Sequence, residues 1–424
     1  MTGQLVWDIS RTVAHKVSPL AHPTHAISEN KDVGPLLPPG QATAPQLTLP
    51  QGKYVVYEQQ KNISIAPIAG GIPTALPTPD YIYNLAVPPL LTPSGQLLYS
   101  GEGLWLTDIV SGTFKQIATL PTGQVITSMA LSSDGTTIAW STEPANGVGD
   151  ITIYAGPLEK SVPVYQHDAN NCPCYRVFSF LHGTGTKANS MLLLTDDRGD
   201  HHAVQYALWS LNLANTPLED PQMLLEGDTQ QGPLALSPSE NTLLYSTNQG
   251  DVPATDDQSV PADIAALNYA NSLDMASISI PSVASNNDPD ADMNSQHIVV
   301  PEQHDLSNSA DYHWITTPSF SPDGHTLVYV EFSSDAQTPF DRHNAVYIVH
   351  SSGSALQLTV GKPHLLANST DRFVELGTWM NNSVLTFYSD GTLYALDTTN
   401  GAVATITQTK TYARVLAVVQ GGSV

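Results

Sequence analysis

The chain has 424 residues, with 15 Lys and Arg against 39 Asp and Glu, a formal charge of −24 at pH 7. That balance argues against a nucleic-acid or anionic-membrane partner, because both need a basic surface to displace counterions. Charged residues make up only 13% of the chain and uncharged polar residues are abundant, a composition that suits an exported or cell-envelope protein better than a cytosolic enzyme. No run of 18 apolar residues is present, so the chain is not expected to be membrane-spanning.

In chain order, the start "MTGQLVWDISRTVAHKV" lacks a continuous apolar core and does not read as a signal peptide. An exported protein would then be represented by a mature or trimmed form, with the signal or anchor outside this chain. Residues 1–46 are rich in Pro, lack a core pattern and read as an N-terminal extension. From residue 47 onward a turn followed by a short apolar run recurs. Its copies are "LPQGKYVVYE" (49–58), "TPSGQLLYS" (92–100), "SSDGTTIAWS" (132–141), "SPSENTLLYS" (237–246) and "SPDGHTLVYVEF" (321–332). Gly52 precedes Tyr57, Gly135 precedes Trp140 and Gly324 precedes Tyr329 by the same five residues. Glu240 to Tyr245 keeps that offset without the glycine, and Gly95 to Tyr99 is one residue short. Pro presets φ at the second turn position, Asp accepts local backbone hydrogen bonds and Gly takes the positive φ. The run after the turn is apolar nearly throughout, as a strand covered on both faces should be.

Each such strand is followed by two more. The first set includes "NISIAPI", "LWLTDI", "ITIYAGPL", "YALWSLNL", "ASISIPSV", "AVYIVHS" and "TLYALDT". The next includes "PTALP", "FKQIATL", "SVPVYQH", "QMLLEG", "QHIVVPE", "ALQLTVG" and "AVATITQ". Seven units of four short antiparallel strands, at this period, predict an all-β chain folded as a β-propeller. The fourth unit departs from the pattern, with "LHGTGTKANSMLLL" in place of the turn. Closure has three readings: "ARVLAVV" (413–419) as a lone inner strand beside residues 53–58, "APQLTLPQG" (44–52) in that place, or an eighth blade begun by "LVWDISRTVAHKV". Seven blades are expected.

The Ser-Pro-Asp-Gly-x-x-Leu hairpin, recurring with "LWLTDIVSG"-like strands, resembles the TolB-type β-propellers, relatives of the WD-repeat class, over roughly residues 47–424. The resemblance implies the fold. The functions it implies range from periplasmic scaffolds that bind other proteins to peptidase-linked propeller domains and polysaccharide lyases.

In a propeller the second-to-third-strand hairpins and the crossings between blades open on one face, called the upper face here. Most long connections fall there: "TEPANGVGD", "DDRGDHHAV", residues 248–275, "SSDAQTPFDRHN", "HDANNCPCY" and "PEQHDLSNSADYHWITT". Long loops on a rigid scaffold are where binding usually resides. The candidate binding residues are therefore Asp196, Asp197, Arg198, Asp200, His201, His202, Asp256, Asp257, Asp341, Arg342 and His343, on blades 3–6. Asp200 and His202 are weak candidate metal ligands, since adjacent histidines in an extended loop point opposite ways, and a solvated polar loop is the preferred reading. Asp288, Asp290 and Asp292 imitate a calcium loop, but Met293 stands at its glycine position and Val299 at its bidentate Glu. Cys172 and Cys174 are a disulfide candidate. Residues 259–274 carry a helix pattern, capped by Ser259 with Pro261 in the first turn.

No Gly-x-Ser-x-Gly elbow occurs. The leading expectation is a non-enzymatic exported propeller that binds a protein or glycan, with no cofactor beyond a possible divalent metal such as calcium. The alternatives are a propeller hydrolase or lyase, and a structural subunit that self-assembles through residues 1–46.

Overall fold

The computed structural model describes residues 35–420, apart from 60–61, 85–86, 169–172, 182–188, 197–204, 215–217, 232–233, 246–271, 280–291, 302–310, 336–341, 355–356, 371–373 and 410. The described strands form seven antiparallel sheets in sequence order. Blade 1 contains β1 (Lys53–Gln59), β2 (Asn62–Pro67) and β3 (Thr74–Ala75), and blade 2 contains β4 (Leu90–Leu91), β5 (Gln96–Ser100), β6 (Gly103–Asp108) and β7 (Phe114–Thr119). Blade 3 contains β8 (Gln124–Leu131), β9 (Thr137–Pro144), β10 (Asp150–Pro157) and β11 (Val162–Asp168). Blade 4 contains β12 (Tyr175–Leu181), β13 (Met191–Asp196), β14 (Gln205–Asn212) and β15 (Gln222–Gln231). Blade 5 contains β16 (Ala235–Leu236), β17 (Thr242–Tyr245), β18 (Leu273–Ser279) and β19 (Asp292–Val300). Blade 6 contains β20 (Asp311–Phe320), β21 (Thr326–Asp335), β22 (Arg342–Ser354), β23 (Gln357–Val360) and β24 (His364–Thr370). Blade 7 contains β25 (Glu375–Trp379), β26 (Val384–Ser389), β27 (Thr392–Asp397) and β28 (Val403–Gln408), and β29 (Arg414–Gln420) follows it.

The recurring turn is a small hydrogen-bonded module. In blade 6 the Ser321 hydroxyl donates to Asp323 (2.5 Å) and accepts from the Thr326 amide (2.9 Å), while the Asp323 carboxylate accepts the His325 amide (3.0 Å). Ser132, Asp134 and Thr137 repeat the arrangement in blade 3. Thr92 and Ser237 head the same module in blades 2 and 5. The heading residue is buried each time, so it satisfies backbone donors that water cannot reach. Gly324 and Gly135 take positive φ, and Glu240 takes φ +54° where blade 5 lacks the glycine. In blades 3 and 6 the aromatic five residues beyond the turn glycine stacks on its cross-strand partner. Trp140 lies on Tyr154 (4.0 Å between ring centroids) and Tyr329 on Tyr347 (5.3 Å).

Every second strand is apolar on both sides because each blade is sandwiched. In β1, Val55 and Tyr57 pack toward blade 7 while Val56 packs toward blade 2. Separate buried clusters join blades 1 and 2, 2 and 3, 3 and 4, 4 and 5, 5 and 6, 6 and 7, and 7 and 1. The ring is therefore closed with seven blades.

Closure uses the C-terminal strand. β29 pairs with β1 as the inner strand of blade 1, in the order β29-β1-β2-β3. The 44–52 stretch does not take that place. Its residue Gln46 instead bridges Val403 of β28 in parallel, and Leu37 bridges Asn368 of β24 through two 2.9 Å backbone hydrogen bonds. Leu36 is fully buried between blades 6 and 7, and Leu47 and Leu49 pack between blades 7 and 1. Residues 5–17, read as the start of an eighth blade, lie outside the described residues.

Two local expectations differ. The main outer strand of blade 6 is β24, which pairs with the first part of β22. The predicted "ALQLTVG" run supplies only β23, a short hairpin on the far end of β22. The helix pattern over 259–274 ends in strand, because Leu273 and Asp274 belong to β18, and Leu273 and Met275 are fully buried against blade 6. Ser272 is buried just before that strand, and residues 259–271 lie outside the described residues. No helix among the described residues is long and apolar enough to cross a membrane.

Candidate functional site

The blade order places the ends of β9, β13, β17 and β21 and the starts of β12 and β20 on the upper face. Of the predicted binding residues, Asp196 closes β13, is buried, and accepts the Cys174 backbone amide at 2.7 Å. It anchors the entry to β12 and is not a solvent-facing ligand. Arg342 and His343 open β22 opposite Ser334 and Ser333, and Asp292 opens β19 opposite Ser279. Asp197, Arg198, Asp200, His201, His202, Asp256, Asp257, Asp341, Asp288, Asp290 and Cys172 lie outside the described residues. Among the described residues no three His, Cys, Asp or Glu side chains stand together as a metal site.

Charge is concentrated instead where blades 7, 1 and 2 meet on the same face. Glu58, at the upper end of β1, is fully buried. Arg414, its cross-strand partner at the start of β29, grips one Glu58 carboxylate oxygen through Nε and Nη2. Tyr81, from the crossing between blades 1 and 2, donates its hydroxyl to the other oxygen. Burial of a carboxylate demands this pairing, since an isolated charge there would be too costly to hold. Glu375, the first residue of β25, stands beside this pair and accepts the Tyr412 hydroxyl at 2.8 Å. Burial holds the Glu375 carboxyl above the usual carboxylate range, and the Glu58 charge adds to this, while Tyr412 and Arg414 oppose it. The same burial pushes the Tyr83 phenol up to about 12, with the Glu58 charge adding to it, and raises Tyr81 and Tyr412 as well. Tyr388, opposite Glu375 on β26, meets Tyr412 edge-on at 5.3 Å between ring centroids.

A second ion pair sits across the ring. Arg176 of β12 reaches Glu143 of β9 at 2.6 Å, joining blade 4 to blade 3. Beside it the Val177 amide donates to Ser128 Oγ at 2.6 Å, which in turn contacts Ser141 Oγ at 2.5 Å. Neither charged group was singled out from the sequence. The available signal was a charged residue at the end of an apolar strand, in "KYVVYEQ" and "RVLAVV", within a chain poor in charge. It does not say which charges meet.

No family model matches the chain, and no curated protein is recognisably similar to it in sequence. Among solved structures it is similar to the periplasmic gluconolactonase of Pseudomonas aeruginosa, with 11% identity and a TM-score of 0.50, over 86% of this chain and 99% of that one. It is also similar to a putative TolB from Agrobacterium tumefaciens, with 14% identity and a TM-score of 0.37, over 87% and all of that chain (100%). A third is the β-propeller domain of Cps50 (Swd1) from Myceliophteria thermophila, with 12% identity and a TM-score of 0.42, over 85% and 97%. At such identities the likeness speaks for the fold alone. The chain is a seven-bladed β-propeller, and the resemblance of its repeat to TolB-type and WD-repeat propellers stands at the level of that fold.

Proposed function

We propose that this protein is an exported, non-enzymatic propeller that binds a protein or glycan partner through the upper face of blades 3–6. One observation carries the reading. The connections 145–149, 197–204, 246–271 and 336–341, and the crossings near 169–174 and 302–310, all leave rigid strand ends on a single face. A scaffold whose seven interfaces are each closed by a buried cluster can hold the strand ends that carry such loops in fixed relation, which lowers the ordering cost of binding.

The test is a pair of deletions. Replacing residues 251–271 with a tight turn should abolish capture of the partner from an envelope fraction, and binding on a glycan array, while leaving the melting transition in place. Trimming residues 286–291, whose flanking strand ends in β18 and β19 lie on the opposite face, should leave binding intact. Both segments are polar and acidic, so a general electrostatic effect would strike both. Loss of binding on the second deletion alone would place the working face on the other side.

A further inference from the structure

Whatever the upper face binds, we infer that residues 35–49 form a strap that locks the seam of the ring, so that the C-terminal strand β29 leaves β1 only after the strap has lifted. Blade 1 is assembled from both ends of the chain, and β29 pairs with β1 without a connecting turn. Here the ring can part without any covalent connection being stretched. Contacts cross this seam at three places. At its lower end Lys53 Nζ donates to the Met380 carbonyl at 2.9 Å. At its upper end Gln59 Nε2 donates to the Thr411 hydroxyl at 2.6 Å and to the Thr409 carbonyl, and Arg414 pairs with Glu58. On the outside lies the strap. The Val403 amide of β28 donates to the Pro45 carbonyl at 3.1 Å, and Leu47 and Leu49 enter the same apolar layer as Ala413 and Val415. The layer between blades 7 and 1 is thus closed by β29 at its inner strand and by the strap at its outer strand.

The strap sits on blades 6 and 7 but belongs covalently to blade 1, because residues 50–52 alone separate Leu49 from β1. That link reaches at most about 14 Å. Blade 1 therefore cannot swing clear of β29 while Leu47 and Leu49 stay seated. The far end of the strap is fixed separately. Leu36 is fully buried between blades 6 and 7, and Leu37 exchanges two 2.9 Å backbone bonds with Asn368. With both ends seated, each end keeps the other close to its own socket, so a part that lifts is quickly returned. Between the two anchors Pro39, Gly40, Gln41, Ala42 and Thr43 are exposed. A cut in that stretch leaves residues 44–49 held by the layer between blades 7 and 1 alone, and turns the lock into a weaker one.

The test uses the full chain with a specific protease site inserted between Gly40 and Gln41, compared before and after cutting. Hydrogen exchange is read at β1 and β29, with β9 as the control within the same molecule. After the cut, amides of β1 and β29 should exchange at least about tenfold faster, and those of β9 less than about twofold faster. Leu47→Ala combined with Leu49→Ala, in the chain without the insertion, should give the same pattern and does not depend on the inserted site being tolerated. Leu158→Ala is the comparison, because Leu158 packs between blades 2 and 3, away from the seam. It should leave the exchange of β1 and β29 as in the parent. Unchanged exchange of β1 and β29, after the cut or in the Leu47 and Leu49 variant, would overturn the proposal. Equal acceleration of β9 would do the same, since it would report a general loss of stability. So would a Leu158→Ala chain in which β29 exchanges as fast as in the cut one.

Discussion

Gly324 and Gly135 occupy equivalent turn positions, at φ +73° and +70°, yet their neighbourhoods differ. A Cβ at Gly324 would meet nothing nearer than Ser237 and Ser239 at 3.8 Å, so Gly324→Ala tests left-handed backbone strain alone, about 1–2 kcal/mol. A Cβ at Gly135 would lie 2.4 Å from Pro93 Cδ in the turn of blade 2, so that ring must also move. Gly135→Ala should therefore cost at least about 1 kcal/mol more, by overpacking. Equal losses in urea unfolding would show that neighbouring turns do not brace one another. Glu375 supplies a pH test. Its folded-state carboxyl holds the proton above the ordinary value of 4.5, so the folded chain binds more protons than the unfolded chain just above that pH. Stability from this residue is lost as pH rises through that window. The melting temperature of Glu375→Gln, relative to the parent, should climb from pH 4.5 upward. A constant difference across that range would show that Glu375 titrates normally. Asp134, held down to about 2 chiefly by the Ser132 hydroxyl, acts in the opposite sense, and its contribution is lost as pH falls.

At the scale of elements, closure of the ring depends on β29 and on its first residue. Arg414→Ala would leave Glu58 buried with Tyr81 as its remaining partner among the described residues, a change expected to cost about 3–5 kcal/mol. Glu58→Gln combined with Arg414→Ala should recover part of that loss, because no buried charge is then left uncompensated. If the double variant is the less stable of the two, the guanidinium serves by packing and not by pairing. The 35–49 segment is a second fastening. Leu36 is fully buried between blades 6 and 7, so Leu36→Ala should cost about 2–5 kcal/mol in chemical denaturation. A negligible loss would mean that the segment merely rests on the blades. That segment reads as coreless in sequence because its apolar residues follow no strand or helix period. Its burial is supplied by blades 6, 7 and 1. The outer strand of blade 6 was hidden for a related reason. β22 runs on through Gly353 and meets two successive partners, and local alternation cannot tell which pairs with its central part.

For the whole molecule, amides of β5, β9, β17 and β21 should be among the slowest to exchange. Leu97, Ile138, Leu243 and Leu327 are fully buried between neighbouring blades. β7, with an exposed outer edge that includes Phe114, should exchange early. Uniform exchange across inner and outer strands would contradict a ring held by its inter-blade clusters. The number of blades and the chemistry of their turns were legible in the residues alone, because a Ser321 to Thr326 hydrogen bond spans five positions and leaves its mark within one short motif. Closure by 413–419 was one of three readings the residues allowed, and neither the choice among them nor the charged junction was legible. Glu58 and Arg414 are 356 positions apart, Tyr412 and Glu375 are 37 apart, and no local pattern ties the members of either pair. Only a ring that returns its last strand to its first blade brings those charges together, because the geometry of closure, and not the sequence around each residue, sets which partners a buried carboxylate finds.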